Sequence, residues 1–243
     1  MEENFIQKST HLRPARIGLS FLILVIGILV LGFLGMVSWY WWQIKQGTAV
    51  APANFSFSAR GPVKSGSVDR NKIESGLNPF LIRSSGPLTI VEFMDYKCPF
   101  SKTAAPIMDQ IVAKYGSKVN IIVRNFPGES IYPGSRELSK FAYCAFKQNR
   151  FLKVYDYLFE HQQEISQPLT DDLYSSLTQN LDLRKAELAT CVNDPATEEK
   201  INNDLYVGVD AGVRGTPTFF VNGQKFEGTV SFEAWERYIK SFK

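Results

Sequence analysis

Histidine and cysteine are scarce in this chain, and their scarcity narrows the chemistry. Only two histidines occur in 243 residues, His11 and His161. Neither has a cysteine neighbour at the spacing of a metal site, so a metal centre and a Cys–His hydrolase are both unsupported, and no cofactor is expected. Three cysteines is an odd count. It points to one bonded pair and one free thiol, or to an intermolecular bond. The net charge of +3 is too small to make a case for nucleic-acid binding. No internal repeat is visible. Charge is missing altogether from residues 17–44.

That charge-free run is itself a signal. Its core, residues 17–42, exceeds the ~20 apolar residues that a helix needs to cross a bilayer. Trp39, Tyr40, Trp41 and Trp42 cluster at its far end, as an interfacial aromatic belt would. Lys8, Arg13 and Arg16 make the preceding flank positive, which predicts a cytoplasmic N-terminus. A cleaved signal peptide has a shorter apolar core of roughly 7–15 residues, and the small-residue site Ala49-Val50-Ala51 is followed by Pro52. The expected organisation is therefore a cytoplasmic tail over 1–16, an uncleaved transmembrane anchor over 17–42 and a Gly/Ser/Pro/Ala linker over 43–67. A folded domain over 68–243 would then lie outside the cell membrane. Hydrophobic content of 44% and charged content of 21% suit a packed core.

The domain is organised around residues 93–102, Phe-Met-Asp-Tyr-Lys-Cys-Pro-Phe-Ser-Lys. The apolar run Leu88 to Met94 predicts a buried strand. Ala104, Ile107, Met108, Ile111, Val112 and Tyr115 recur at helical spacing after it. Cys98 falls at the handover, and Pro99 suits the first helical position because its missing N–H would be unpaired there anyway. Cys98 is then the N-cap, where free N–H groups and the positive end of the helix dipole favour a thiolate, the nucleophilic form of a cysteine. The bland alternative is a small buried hydrophobe.

Further along, Val119 to Val123 predicts a second strand. Helical stripes follow at Leu138–Phe146 and Phe151–Phe159. A capped start at Thr170 and another at Asp182 precede a helix through Ile201, Leu205 and Val209 towards Gly212. Thr218 to Val221 and Gln224 to Glu227 read as strands joined by the hairpin signal Asn222-Gly223. A final helix carries Phe232, Trp235, Tyr238 and Ile239. Val68 to Arg83 shows only weak pattern, a short helix or an irregular lead-in. The order is βαβ, helices, ββα: an α/β fold with a helical block inserted.

The segment Val91-Glu92-Phe93, Asp95-Tyr96-Lys97-Cys98-Pro99-Phe100 resembles the active-site segment of DsbA-like thiol–disulfide oxidoreductases, which have a thioredoxin fold. Gly212-Val213-Arg214-Gly215-Thr216-Pro217-Thr218-Phe219-Phe220 is similar to that family's cis-proline loop and the strand after it, and Arg124-Asn125-Phe126-Pro127 also matches. The likeness covers about residues 85–241. It implies a thioredoxin-like fold with a helical insertion and a cis Thr216-Pro217 peptide facing Cys98. It also implies a substrate-docking surface of Pro99, Phe100, Thr216 and Pro217. Glu92 matches the acid behind the sulfur, where a buried carboxyl relays protons; the alternative is an edge-facing strand residue. Cys144 and Cys191 match positions where many relatives carry cysteine. A structural disulfide is the default for them outside the cytoplasm, and resolution of Cys98 by one of them is the rival.

Two departures from the family stand out. Its motif is usually Cys-x-x-Cys, and here Ser101 takes the second place. Ser101 cannot form a disulfide, but one turn on it can offer a hydroxyl to the Cys98 sulfur, or it is an ordinary helix serine. Tyr132-Pro133 stands where relatives often have His-Pro. The expected function is a monothiol exchange protein acting on cysteines of exported proteins or on small thiols, with an external thiol or membrane redox partner to release it. The alternatives are a catalytically inactive peptide-binding or chaperone module and a glutathione-dependent transferase.

Overall fold

The computed structural model describes residues 17–45, 68–165 and 170–242, with side chains in the first helix described at 23–39 and at Trp42. The chain divides into two compact units, residues 1–56 and 57–243. In the first, α1 (Ile17–Lys45) is a helix of 29 residues. Its described apolar side chains are exposed around its whole circumference, from Ile23 and Leu24 to Trp39 and Trp42. Among the described residues, no helix is long and apolar enough to cross a membrane. The remaining residues of the expected tail and linker lie outside those described.

The second unit is built on a five-stranded sheet. Its elements in order are α2 (Arg70–Glu74), β1 (Phe80–Ile82), β2 (Leu88–Met94), α3 (Pro99–Tyr115), β3 (Val119–Asn125), α4 (Ser135–Lys147), α5 (Phe151–Glu160), α6 (Asp171–Asn180), α7 (Lys185–Val192), α8 (Pro195–Asp210), β4 (Thr218–Val221), β5 (Gln224–Glu227) and α9 (Phe232–Ser241). The strand order is β1-β3-β2-β4-β5, with β2 and β3 parallel and the other pairs antiparallel. Strand β2 is central and every second side chain faces the same side. Leu88, Ile90 and Met94 point into the larger core, with α3, α4, α5 and α9. Val91 and Phe93 point into the smaller core beside α8. That helix comes so close at Gly208 that a Cβ there would meet Phe126 at 2.7 Å.

The helical insertion runs from α4 to α8, between β3 and β4. Thr170 caps α6, its hydroxyl accepting from Leu173 N–H. Asp182 does not cap α7: it stands in a left-handed conformation at φ 55° and pairs with Arg150, while Arg184 takes the N-cap place. Strand β1 was not expected. It is three residues long and pairs with β3 through a register shift, so it has no alternating pattern to read. At the hairpin, Asn222 and Gly223 take φ values of 49° and 87°, the two left-handed positions of a type I′ turn.

Candidate active site

The turn from β2 into α3 is held by Asp95. Its backbone carbonyl accepts from Cys98 N–H at 3.1 Å. Its carboxylate accepts from Lys97 N–H and Gly128 N–H, both at 2.8 Å, and from the Ser135 hydroxyl. Burial pushes its pKa up, and these three bonds pull it back. From the other side the Gln162 amide donates to Tyr96 O at 2.8 Å and Cys98 O at 3.0 Å. Cys98 is thus clamped on both sides, by Asp95 three residues before it and by Gln162 from the far helical block. It is the N-cap of α3, Pro99 opens the helix, and no side chain caps the helix end.

The Cys98 thiol donates to the carbonyl of Thr216 at 3.2 Å, and the Thr216-Pro217 peptide is cis. That bond belongs to the protonated thiol; a thiolate would lose it and turn to the donors at the start of α3. The Tyr132 phenol interacts electrostatically with this sulfur. Burial, the negative charge a thiolate would carry and the hydrogen bond to Cys98 all raise the tyrosine's pKa. The sulfur is well shielded, with Cys98 only 3% exposed.

Beside it a small cavity of about 190 Å³ is lined by Phe100, Arg214, Thr216, Pro217 and Glu227, among others. The Thr229 hydroxyl bonds to Phe100 O at 3.2 Å and Gly228 N–H to Pro217 O at 2.9 Å, so both walls are fastened to the β5–α9 connection. Phe100 itself is 42% exposed. Ser101 is fully buried, and its hydroxyl accepts from Asp95 N–H at 3.4 Å rather than meeting the Cys98 sulfur.

Glu92 lies on β2 with no solvent exposure. The Tyr155 hydroxyl donates to its Oε2 at 3.3 Å, and Oε1 has no partner among the described residues. Burial drives its pKa up to about 8; the Tyr155 bond opposes this and Asp109 adds to it. The surroundings are aromatic, with Tyr96, Tyr155 and Phe159 at centroid separations of 4.9 to 6.3 Å. Burial without a cation beside it therefore favours the protonated form of Glu92. Cys144 and Cys191 form a disulfide across α4 and α7, Cα atoms 5.8 Å apart, which leaves Cys98 as the sole free cysteine.

Tyr132, Gln162 and Tyr155 were not among the expected site residues. Tyr132 had a signal, its place in the Tyr-Pro pair; the other two had none, being ordinary polar residues of the helical block.

The comparisons agree with this architecture. The thioredoxin family model matches residues 83–241. Among solved structures, the thiol-disulfide exchange protein α-DsbA2 of Wolbachia pipientis superposes with a TM-score of 0.61 at 20% identity, over 71% of this chain and 91% of that one. A periplasmic thioredoxin-like protein of Salmonella enterica serovar Typhimurium gives 0.60 at 23% identity, over 72% and 97%. Among curated proteins, an Na(+)/H(+) antiporter NhaA 3 of Salinispora tropica is 30% identical over 155 residues, 64% of this chain and 23% of the antiporter. An NhaA 1 of Mycolicibacterium gilvum is 26% identical over 147 residues, 60% and 23%. The chain thus matches less than a quarter of the length of these curated relatives. With the β2–Cys98–α3 junction set against a cis-proline loop, and a family match over most of its folded domain, this chain belongs to the thioredoxin family, in the DsbA-like form of its fold.

Proposed function

We propose that this protein is a thiol–disulfide exchange protein of the extracytoplasmic side of the membrane, working through the single sulfur of Cys98. The observation that carries the proposal is the 3.2 Å contact between Cys98 Sγ and the Thr216 carbonyl, in a chain whose other two cysteines are bonded to each other. The Cys98 thiolate attacks a disulfide R–S–S–R′, forming Cys98–S–S–R and releasing R′–S⁻. With Ser101 in the second place, no neighbour resolves this intermediate. An external thiolate R″–S⁻ must attack R, giving R–S–S–R″ and restoring the Cys98 thiolate. Tyr132 donates its phenolic hydrogen to the thiolate, Glu92 stores a proton behind the sulfur, and the wall of Phe100, Thr216 and Pro217 docks an extended peptide. The substrates are cysteines of exported proteins or small thiols. A membrane association is supported by sequence alone, through the run of residues 17–44 that has no charge; an apolar run of this kind suits a lipid surrounding.

Acid-quench trapping tests this. The full chain isolated from the membrane fraction should carry covalent adducts at Cys98 that thiols release, and Cys98→Ala should abolish both the adducts and disulfide reduction in vitro. The shielding of the sulfur favours one rival, a peptide-binding module with no turnover. That rival prevails if Cys98→Ala leaves the cellular function intact.

A further inference from the structure

A groove of about 620 Å³ opens between the loop entering β1 and the α4–α5 turn. None of its lining residues belongs to the site around Cys98. The volume falls within the roughly 300–1,000 Å³ of small-molecule sites. Its floor is aromatic: Phe80, Phe146 and Phe151 meet edge to face at centroid distances of 6.0 and 6.4 Å. Leu77 and Leu152 extend this apolar surface outwards, 59% and 49% exposed.

The rim is cationic, formed by Arg83, Arg150 and Lys153, and no acid lines the groove. The Arg83 guanidinium lies over the Phe80 ring, 4.4 Å from its centroid. Among the described residues, neither Arg83 nor Lys153 has an ion-pair partner within 4 Å. Arg150 pairs with Asp182 at 2.7 Å, yet its buried Nε has no acceptor. The turn that presents Arg150 and Phe151 is tightly wound, with Asn149 at φ 58° and Arg150 N–H bonded to Ala145 O at 2.9 Å. The Arg150 side of the rim is therefore held by a hydrogen-bonded turn.

We propose that this groove is a second binding site for a single-chain amphiphilic carboxylate. Its apolar chain would lie on the Phe80–Phe146–Phe151 floor and its carboxylate would face Arg83 and Lys153. The floor rewards removal of apolar surface from water, and a guanidinium accepts a carboxylate in a bidentate pair. A peptide fits less well, because Arg and Lys side chains are donors only and leave peptide N–H groups unmatched. A flat anionic membrane surface would not reach a recessed floor.

The test uses the full chain in phosphatidylcholine nanodiscs, irradiated with a diazirine-bearing hexadecanoate, with the labelled peptides mapped. Adducts should fall in residues 77–83 and 146–153. The double variant Arg83→Glu/Lys153→Glu should show roughly tenfold less labelling there, with unchanged disulfide exchange and circular dichroism. The corresponding diazirine alcohol should label these segments as weakly in the wild type as the acid does in the variant. Adducts confined to α1, or equal labelling by acid and alcohol, would overturn the proposal. So would labelling by a photoreactive phosphatidylglycerol of the disc but not by the free acid, which would assign the face to the membrane surface. Displacement by an acidic peptide but not by unlabelled hexadecanoate would assign the groove to a polypeptide instead.

Discussion

Asp204 and Glu92 are both carboxylic acids with no solvent exposure, one on α8 and one on β2. Asp204 is surrounded by donors. Arg124 Nη1 reaches its Oδ1 at 2.7 Å, and Lys200 Nζ and the two nitrogens of Asn125 reach its Oδ2 at 2.6 to 3.3 Å. Arg124 also ties down α2 by donating to the carbonyls of Ile73, Lys72 and Ser75. Glu92 has one hydroxyl, no cation and one oxygen without a partner. A buried charge that is fully paired holds elements together. A buried acid left nearly bare stays protonated and keeps a proton to give. The Arg124-Asn125 segment, matched by family resemblance alone, thus acquires a structural role, and Glu92 stands buried without a counter-charge.

The largest expected effect breaks the paired side. Asp204→Ala leaves Arg124 buried without its counter-charge and should lower stability by about 3–5 kcal/mol in urea denaturation. The opposite sign is expected on the bare side. Because folding raises the Glu92 pKa from its ordinary 4.5 to about 8, its contribution is fully present below 4.5. It declines as pH rises and is lost above about 8. Glu92→Gln should therefore match the wild type at low pH and exceed it by on the order of a few kcal/mol in alkaline buffer. Thermal melts over this range read the difference. The same variant should slow disulfide exchange, whereas Asp204→Asn, where it folds, should not.

A smaller change sharpens the contrast. Tyr155→Phe removes the one hydrogen bond that stabilises the Glu92 carboxylate. It should move the upper end of the pH window upwards, at a stability cost of about 1 kcal/mol, measured by the same melts. The smallest effect on stability is expected from Tyr132→Phe, within roughly 0.5 kcal/mol. Its readout is alkylation of Cys98, which should slow less than about tenfold through loss of one donor to the thiolate.

What was legible in the chain follows from range. β2, α3 and the β4–β5 hairpin announce themselves through periodicity, Pro99 and Asn222-Gly223, because their determinants lie within a few residues. Cys98 as an N-cap was readable for the same reason. β1 was not, since three residues at a bulged edge carry no period. Asp182 looked like a cap by residue type, but its carboxylate is drawn to Arg150. Ser101 looked like a partner for the sulfur by helical spacing, but its hydroxyl bonds to the backbone of the preceding turn.

The amino-acid order alone therefore determined that a strand ends in a cysteine-capped helix, that no second cysteine stands one turn on, and that a charge-free run precedes the domain. These are matters of local geometry and composition. Only the tertiary structure decided that Thr216 and Tyr132 converge on the sulfur, that Cys144 and Cys191 consume each other, and that Glu92 is bare while Asp204 is paired. Each of those depends on which side chains meet across the fold, and burial and pairing exist only once the sheet and its helices have closed around them.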